Sequence, residues 1–243
     1  MNLVRYMSNH KYLPLIIFST AMGFLEAIVV VYIRELYYPN GFQFPLKALP
    51  SWIILVELIR EISTLLMLGA VAWISGRTFL KRLSVFLLIF GIWDIIYYVA
   101  LKILLGWPES LLTWDILFLI PVTWVGPVLA PVLCSILMIV MALVFDYLQL
   151  LKNITKLQTK ELLLLLTGAA VIYYTFTVDF SMIILKGSFL PIFFSLAENP
   201  DFIEITTSWE PIQFKWIVFF VGITIICVGF LLIVRRGFQS EQK

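Results

Sequence analysis

Long apolar stretches follow one another along the chain, separated by short polar connections. A helix rises about 1.5 Å per residue, so about 20 residues are needed to cross the hydrocarbon core of a bilayer. Six stretches reach that length and predict six transmembrane helices, at residues 14–36, 51–75, 83–105, 127–148, 162–185 and 213–234. Little chain remains for a soluble domain. We therefore expect residues 1–243 to form a single helical-bundle domain of the all-α polytopic membrane class.

A shorter apolar segment, residues 110–121, departs from this pattern. About 12 residues cannot cross a bilayer as a helix, but they suit a re-entrant or interfacial segment. Pro121, Pro127 and Pro131 interrupt the chain after it, and each proline removes a backbone donor. Irregular backbone at membrane depth is tolerated only where protein or a water-filled cavity covers it. We favour a folded-in element that carries Asp115, and one long kinked helix is the alternative.

The composition supports a membrane protein and excludes several kinds of site. Hydrophobic residues make up 62% of the chain and charged residues 13%, against about 25% charged in soluble domains. The two cysteines each stand alone in an apolar stretch, so neither a disulfide framework nor a cysteine metal site is expected. The only histidine, His10, precedes the first span, which excludes histidine-based zinc or iron centres within this chain.

Basic residues occur in alternate connections, and this orients the chain. Lys and Arg accumulate on the cytoplasmic side of membrane proteins. The first basic cluster, Arg5 and Lys11, precedes the first span, and the others follow the second, fourth and sixth spans. Residues 187–211 carry four acids and no Lys or Arg. We predict that both termini are cytoplasmic, that residues 187–211 are outside, and that the chain lies in the inner (plasma) membrane of a bacterium.

Several ionisable residues lie inside the predicted spans, where an ionised side chain costs about 3 kcal/mol. Residues three, four or eight positions apart share a face of a helix, which groups the charged residues of the second and third spans. The orientation places most of these side chains in the middle and outer half of the membrane. The candidate ligand-binding or proton-carrying residues are Glu26, Glu57, Arg60, Glu61, Asp94, Tyr98, Lys102, Asp115 and Asp179. Asp146, near the cytoplasmic end of the fourth span, is expected to be only an interfacial charge.

The candidate acids outnumber the bases that could pair with them. Six carboxylates of this set face four basic residues, which are Arg34, Arg60, Lys102 and Lys186. Two carboxylates therefore remain to carry a proton or to meet a ligand. We expect Glu57, Arg60, Glu61, Asp94 and at least one of the other acids to converge in one polar cavity.

This excess of acids favours an outward-facing intramembrane pocket of carboxylate, arginine and tyrosine side chains. Such a pocket would bind or translocate a small cation, a proton or a cationic solute. Two other functions stay open. The first is an intramembrane enzyme that uses paired carboxylates for acid and base chemistry on a lipid or isoprenoid. The second is a non-catalytic subunit of a membrane complex, in which the ion pairs only fix helix packing.

No motif identifies a catalytic residue, so whether the chain is an enzyme stays undecided. No cofactor is evident, although a carboxylate cluster could hold a divalent cation. The expected partners are the lipid bilayer, a small cation, solute or lipid substrate, and other membrane proteins. Nucleic acid is not an expected partner.

Overall fold

The computed structural model describes residues 12–152 and 154–239, apart from the side chain of Phe194. Its elements in chain order are α1 (Tyr12–Tyr37), α2 (Ser51–Ser75), α3 (Phe79–Leu105), β1 (Trp114–Phe118), β2 (Trp124–Pro127), α4 (Leu129–Lys152), α5 (Thr159–Lys186), a 3₁₀ segment (Leu190–Glu198), α6 (Pro200–Ser208) and α7 (Trp216–Gln239). His10 and the first basic cluster, Arg5 and Lys11, lie outside the described residues.

Five helices, α1, α3, α4, α5 and α7, are long and apolar enough to cross a bilayer. The protein is therefore a helical, multi-pass integral membrane protein. Helix α2 is 25 residues long but carries Glu57, Arg60 and Glu61, and it is not among those five. A helix covers nearly all of each of the six predicted stretches, although six spans are not confirmed.

Helix α3 lies at the centre of a group of helices that also contains α1, α2 and α4. It packs closely against α1 and α4, and α2 packs mainly against α3. An apolar cluster that includes Met22, Leu68 and Ile89 joins α1, α2 and α3. Gly91 of α3 faces α4 so closely that a Cβ atom there would lie 2.7 Å from the Ser135 carbonyl oxygen. Small residues permit such close helix approaches in membranes.

Helices α5 and α7 form a second tightly packed pair. A Cβ atom added to Gly168 of α5 would lie 2.7 Å from the carbonyl oxygen of Gly222 on α7. The pair joins the rest of the fold where α7 contacts α4 and where α5 contacts β2.

The segment at 110–121 contributes the first strand of a β-hairpin, so the alternative of one long kinked helix is wrong. Strand β1 pairs antiparallel with β2, and Asp115 lies opposite Gly126. A Cβ atom on Gly126 would come within 2.9 Å of the Phe176 ring, so the hairpin packs directly against α5 at this position. Asp115 is 1% exposed. The hairpin is therefore a short element folded in among the helices, and the helical class of the protein includes this one small sheet.

Candidate functional site

Arg60 of α2 is shared by three carboxylates. Its Nη1 atom lies 2.8 Å from Oε1 of Glu26 on α1, and its Nε atom lies 2.9 Å from Oε2 of Glu57. The spacing of three residues on one helix brings Glu57 and Arg60 to the same side. Glu61 is more distant, with 4.0 Å between its Oε1 atom and Nη2 of Arg60. One guanidinium group therefore joins α2 to α1 and faces three acids.

Glu61 also attaches α2 to the hairpin. The backbone N–H of Leu119 donates to both carboxylate oxygens of Glu61, at 3.0 Å and 2.9 Å. Leu119 directly follows β1, and Glu61 is buried. A charged acceptor makes this a stronger bond than one between neutral groups. It fixes the end of β1 against the middle of α2.

A second guanidinium group, that of Arg34 on α1, holds Asp115 of the hairpin. Its Nη2 atom donates to Oδ1 of Asp115 at 3.0 Å, and both side chains are buried. The hydroxyl of Tyr98 on α3 donates to the other carboxylate oxygen at 3.3 Å. The Arg34 guanidinium also lies over the rings of Phe42 and Trp107, at 4.4 Å and 3.8 Å from their centroids. Stacking of this kind suits arginine, whose planar group is only weakly hydrated.

Asp94 has a different environment from the other acids. Its Oδ2 atom accepts a hydrogen bond from the Ser135 hydroxyl of α4 at 2.7 Å. No Lys or Arg among the described residues forms an ion pair with it. The charges of Glu26 and Asp115 both act on this carboxyl group. Asp94 is thus a half-buried acid of α3 with two acidic neighbours and one neutral donor.

We use the name carboxylate cluster for these five acids together with the two guanidinium groups among them. Its members are Glu26, Glu57, Glu61, Asp94 and Asp115, with Arg34 and Arg60. Two positive groups face five carboxyl groups, so the cluster would carry three negative charges in excess if every carboxyl group were ionised. Tyr98 lies against the cluster through Asp115.

Two of the predicted site residues lie outside the cluster. Lys102 donates to the carbonyl oxygens of Gly106 and Pro108, at 2.9 Å and 2.8 Å, and so satisfies backbone groups after the end of α3. Asp179 pairs with Lys215, with 2.9 Å between Oδ1 and Nζ. Neither residue contributes to the charge of the carboxylate cluster.

The expectation that Asp146 is only an interfacial charge is wrong. It is 3% exposed and not a surface charge. Its carboxylate pairs with Lys81 of α3 and accepts a hydrogen bond from the Tyr12 hydroxyl of α1. Residues from three helices therefore meet at Asp146. Its ion pair with Lys81 is structural.

Ser135 is a site residue that the sequence reasoning did not identify. The available signal was a hydroxyl inside an otherwise apolar stretch, Ala130 to Val144, in which Cys134 is the only other weakly polar side chain. Nothing in the sequence indicates that this serine faces α3. Its position follows from the close approach of α3 and α4 at Gly91.

Two cavities lie away from the carboxylate cluster. One, of ≈ 730 Å³, adjoins Asp179 and Lys215, and the other, of ≈ 560 Å³, adjoins Lys81 and Asp146. The predicted convergence of the acids in one polar cavity therefore stays a prediction. Among residues 12–152 and 154–239, no group of three or more His, Cys, Asp or Glu side chains is arranged to hold a metal ion.

No family model, curated protein or solved structure matches this chain.

Proposed function

We propose that the protein carries a proton on Asp94 and uses the carboxylate cluster in the transport of protons or of a cationic solute across the membrane. The observation that supports this proposal best is the environment of Asp94. This acid has one hydroxyl donor, two acidic neighbours and no basic partner among the described residues.

An isolated charge in such surroundings is unfavourable. An ionised carboxylate costs about 3 kcal/mol at the centre of a bilayer, and an acid without a basic partner avoids this cost by taking up a proton. Glu26 and Asp115 add repulsion to the charged form of Asp94. A hydroxyl can both donate and accept, so Ser135 can hydrogen-bond Asp94 in either protonation state. The site therefore permits a proton to bind and leave without losing this contact.

Two buried donors near the cluster are candidate positions for internal water. Nη1 of Arg34 and the indole N–H group of Trp107 have no hydrogen-bond acceptor among the described residues. Buried donors of this kind are usually satisfied by protein or by ordered water. We expect ordered water beside these two atoms, inside the protein and next to the carboxylate cluster.

Helix α2 is the element that we expect to move when the protonation of the cluster changes. It packs mainly against α3, while Arg60 and Glu61 connect it to α1 and to the hairpin. A change of charge at one acid alters the forces on its neighbours, and these polar contacts depend on charge. A helix held in this way suits the rearrangement that alternating access requires.

We also infer that α2 is the sixth span and that both termini face the cytoplasm. Helix α2 exposes apolar side chains such as Leu55 and Ile59 while it buries Glu57 and Glu61. A helix in water would show the opposite pattern, because its apolar stripe faces the core. Lipid around α2 explains the exposed apolar side chains, and the alternation of basic connections supports the orientation.

Infrared difference spectroscopy tests the proton directly and needs no knowledge of a substrate. Protein in lipid nanodiscs is compared in acidic and alkaline medium, and a protonated carboxyl group contributes a carbonyl stretch that a carboxylate lacks. We expect Asp94→Asn to remove one such band. The matched control, Asp201→Asn, changes an exposed acid of α6 and should leave the band in place. Ser135→Ala should move the pH at which the band disappears without removing it.

Proteoliposomes then connect this proton with transport. With a pH-sensitive dye inside, an imposed pH gradient should collapse faster with wild type than with Asp94→Asn, while Asp201→Asn behaves as wild type. A spectrum of Asp94→Asn that retains every carboxyl band would overturn the proposal. An intact band without flux, accompanied by conversion of a lipid or by stoichiometric copurified proteins, would favour the enzyme or the complex subunit instead.

A further inference from the structure

A groove beside α5 lies apart from the carboxylate cluster. It has a volume of ≈ 730 Å³, and its wall includes residues of α5, Trp209 just after α6, and Lys215 just before α7. The lining residues that matter here are Tyr174, Asp179, Met182, Lys186, Trp209 and Lys215. Apolar, aromatic and charged side chains therefore meet in one surface depression.

The groove lies beside the end of α5 and the start of α7. Lys186 is the last residue of α5, and Lys215 directly precedes α7. Asp179 is seven positions before the end of α5, which is about 10 Å along the helix axis. Tyr174 and Met182 are exposed on the same helix. Lysine, tyrosine and tryptophan are typical of the membrane interface.

The charged side chains that line the groove are two lysines and one aspartate, which together carry one net positive charge. Lys215 and Asp179 form an ion pair of 2.9 Å, and their side chains are 36% and 33% exposed. Lys186 is exposed and has no ion pair among the described residues. One excess positive charge complements one phosphodiester group, and the exposed tyrosine and methionine extend as an apolar surface from this point.

We infer that the groove binds the headgroup of an anionic phospholipid, with its phosphate at Lys186 and Lys215 and its acyl chain along Tyr174 and Met182. Asp179 lowers the affinity for the phosphate because it occupies Lys215. This inference is independent of the proposed role of Asp94, since no described contact joins Asp179 to the carboxylate cluster.

Native mass spectrometry of the purified full chain, titrated with phosphatidylglycerol or with phosphatidylcholine, measures this binding. Wild type should retain phosphatidylglycerol in preference to phosphatidylcholine. Lys186→Gln should weaken phosphatidylglycerol binding about fivefold, the effect of about one surface cation on an anionic lipid. Asp179→Asn should strengthen it, because Lys215 is released. A purely structural ion pair would not produce this opposite sign.

Lys47→Gln is the matched control. Lys47 is an exposed residue of the loop between α1 and α2, and Phe44 of that loop contacts Trp209, so both lie at the same end of the protein. This variant should bind lipid as wild type does. Equal binding of the two lipids, or equal losses in Lys47→Gln and Lys186→Gln, would overturn the inference. So would weaker binding in Asp179→Asn, or displacement of the lipid by inorganic phosphate alone, which would indicate a free-anion site.

Discussion

Arg60→Gln is the substitution that most directly tests how the carboxylate cluster is held together. The native guanidinium group contacts Glu26 and Glu57 at 2.8 Å and 2.9 Å and lies within 4.0 Å of Glu61. Glutamine keeps much of the length of the side chain but has no charge. The substitution therefore leaves three carboxylates next to one another without their shared cation.

The expected loss of stability follows from the burial of these groups. Removing one partner of a buried ion pair costs about 3–5 kcal/mol. The Arg60 side chain is 20% exposed, so we take the lower end, about 3 kcal/mol. In a protein of this size, 1 kcal/mol lowers the melting temperature by about 2–4 °C. The melting temperature of Arg60→Gln should therefore fall by about 6–12 °C.

Thermal unfolding in detergent, followed by tryptophan fluorescence, measures this change. The loss should shrink in acidic medium, because protonated carboxyl groups need no counter-charge. Arg60→Lys should lie between wild type and Arg60→Gln, since an ammonium group cannot reproduce the fork of contacts. Arg77→Gln, which changes an exposed residue between α2 and α3, is the control and should have little effect. Equal melting temperatures for Arg60→Gln and Arg77→Gln would refute the reasoning.

Two further predictions concern packing and topology. Gly168→Ala should lower stability by about 1–3 kcal/mol, because the new methyl group would lie 2.7 Å from the Gly222 carbonyl oxygen, whereas Gly69→Ala, with nothing within 4 Å, should not. Thermal unfolding measures the stability of the two variants, and equal stability would contradict the close packing of α5 and α7. Ser188→Cys should react with an impermeant thiol reagent from outside intact cells and Lys156→Cys should not; the reverse result would invert the orientation.

The positions of the long helices could be predicted from hydropathy because lipid leaves the backbone few choices. Every N–H and C=O group in the hydrocarbon region needs an internal partner, so an apolar stretch of sufficient length becomes a helix. The hairpin could not be predicted in the same way. A strand of five residues is too short for its period to be told from that of a buried helical segment. Its register, with Asp115 opposite Gly126, depends on contacts with α5 that no local pattern contains.

Helical faces predicted local partners better than distant ones. Glu57 and Arg60 are three positions apart, and the structure pairs them. Asp179 and Lys186 share a face of α5, but they lie about 10 Å apart along the axis, too far for a salt bridge. Asp179 instead pairs with Lys215, which comes from the start of another helix. Tertiary packing decides which helix supplies the partner of a charged residue. The sequence of one helix does not contain that information.

The charged residues of α2 explain which of its faces is buried. If α2 is the sixth span, as we propose, Glu57, Arg60 and Glu61 would each cost about 3 kcal/mol in contact with lipid. The structure turns Arg60 toward α1 and Glu61 toward the hairpin. Apolar side chains such as Leu55 and Ile59 are exposed on the other side of α2, whereas Leu68 packs in the apolar cluster with α1 and α3. The attachment of α2 therefore combines apolar packing with contacts of ionised groups, so the charge state of the cluster contributes to how firmly α2 is held. In the function that we propose, a proton on Asp94 changes the field at those contacts, and α2 is the element through which proton binding becomes movement.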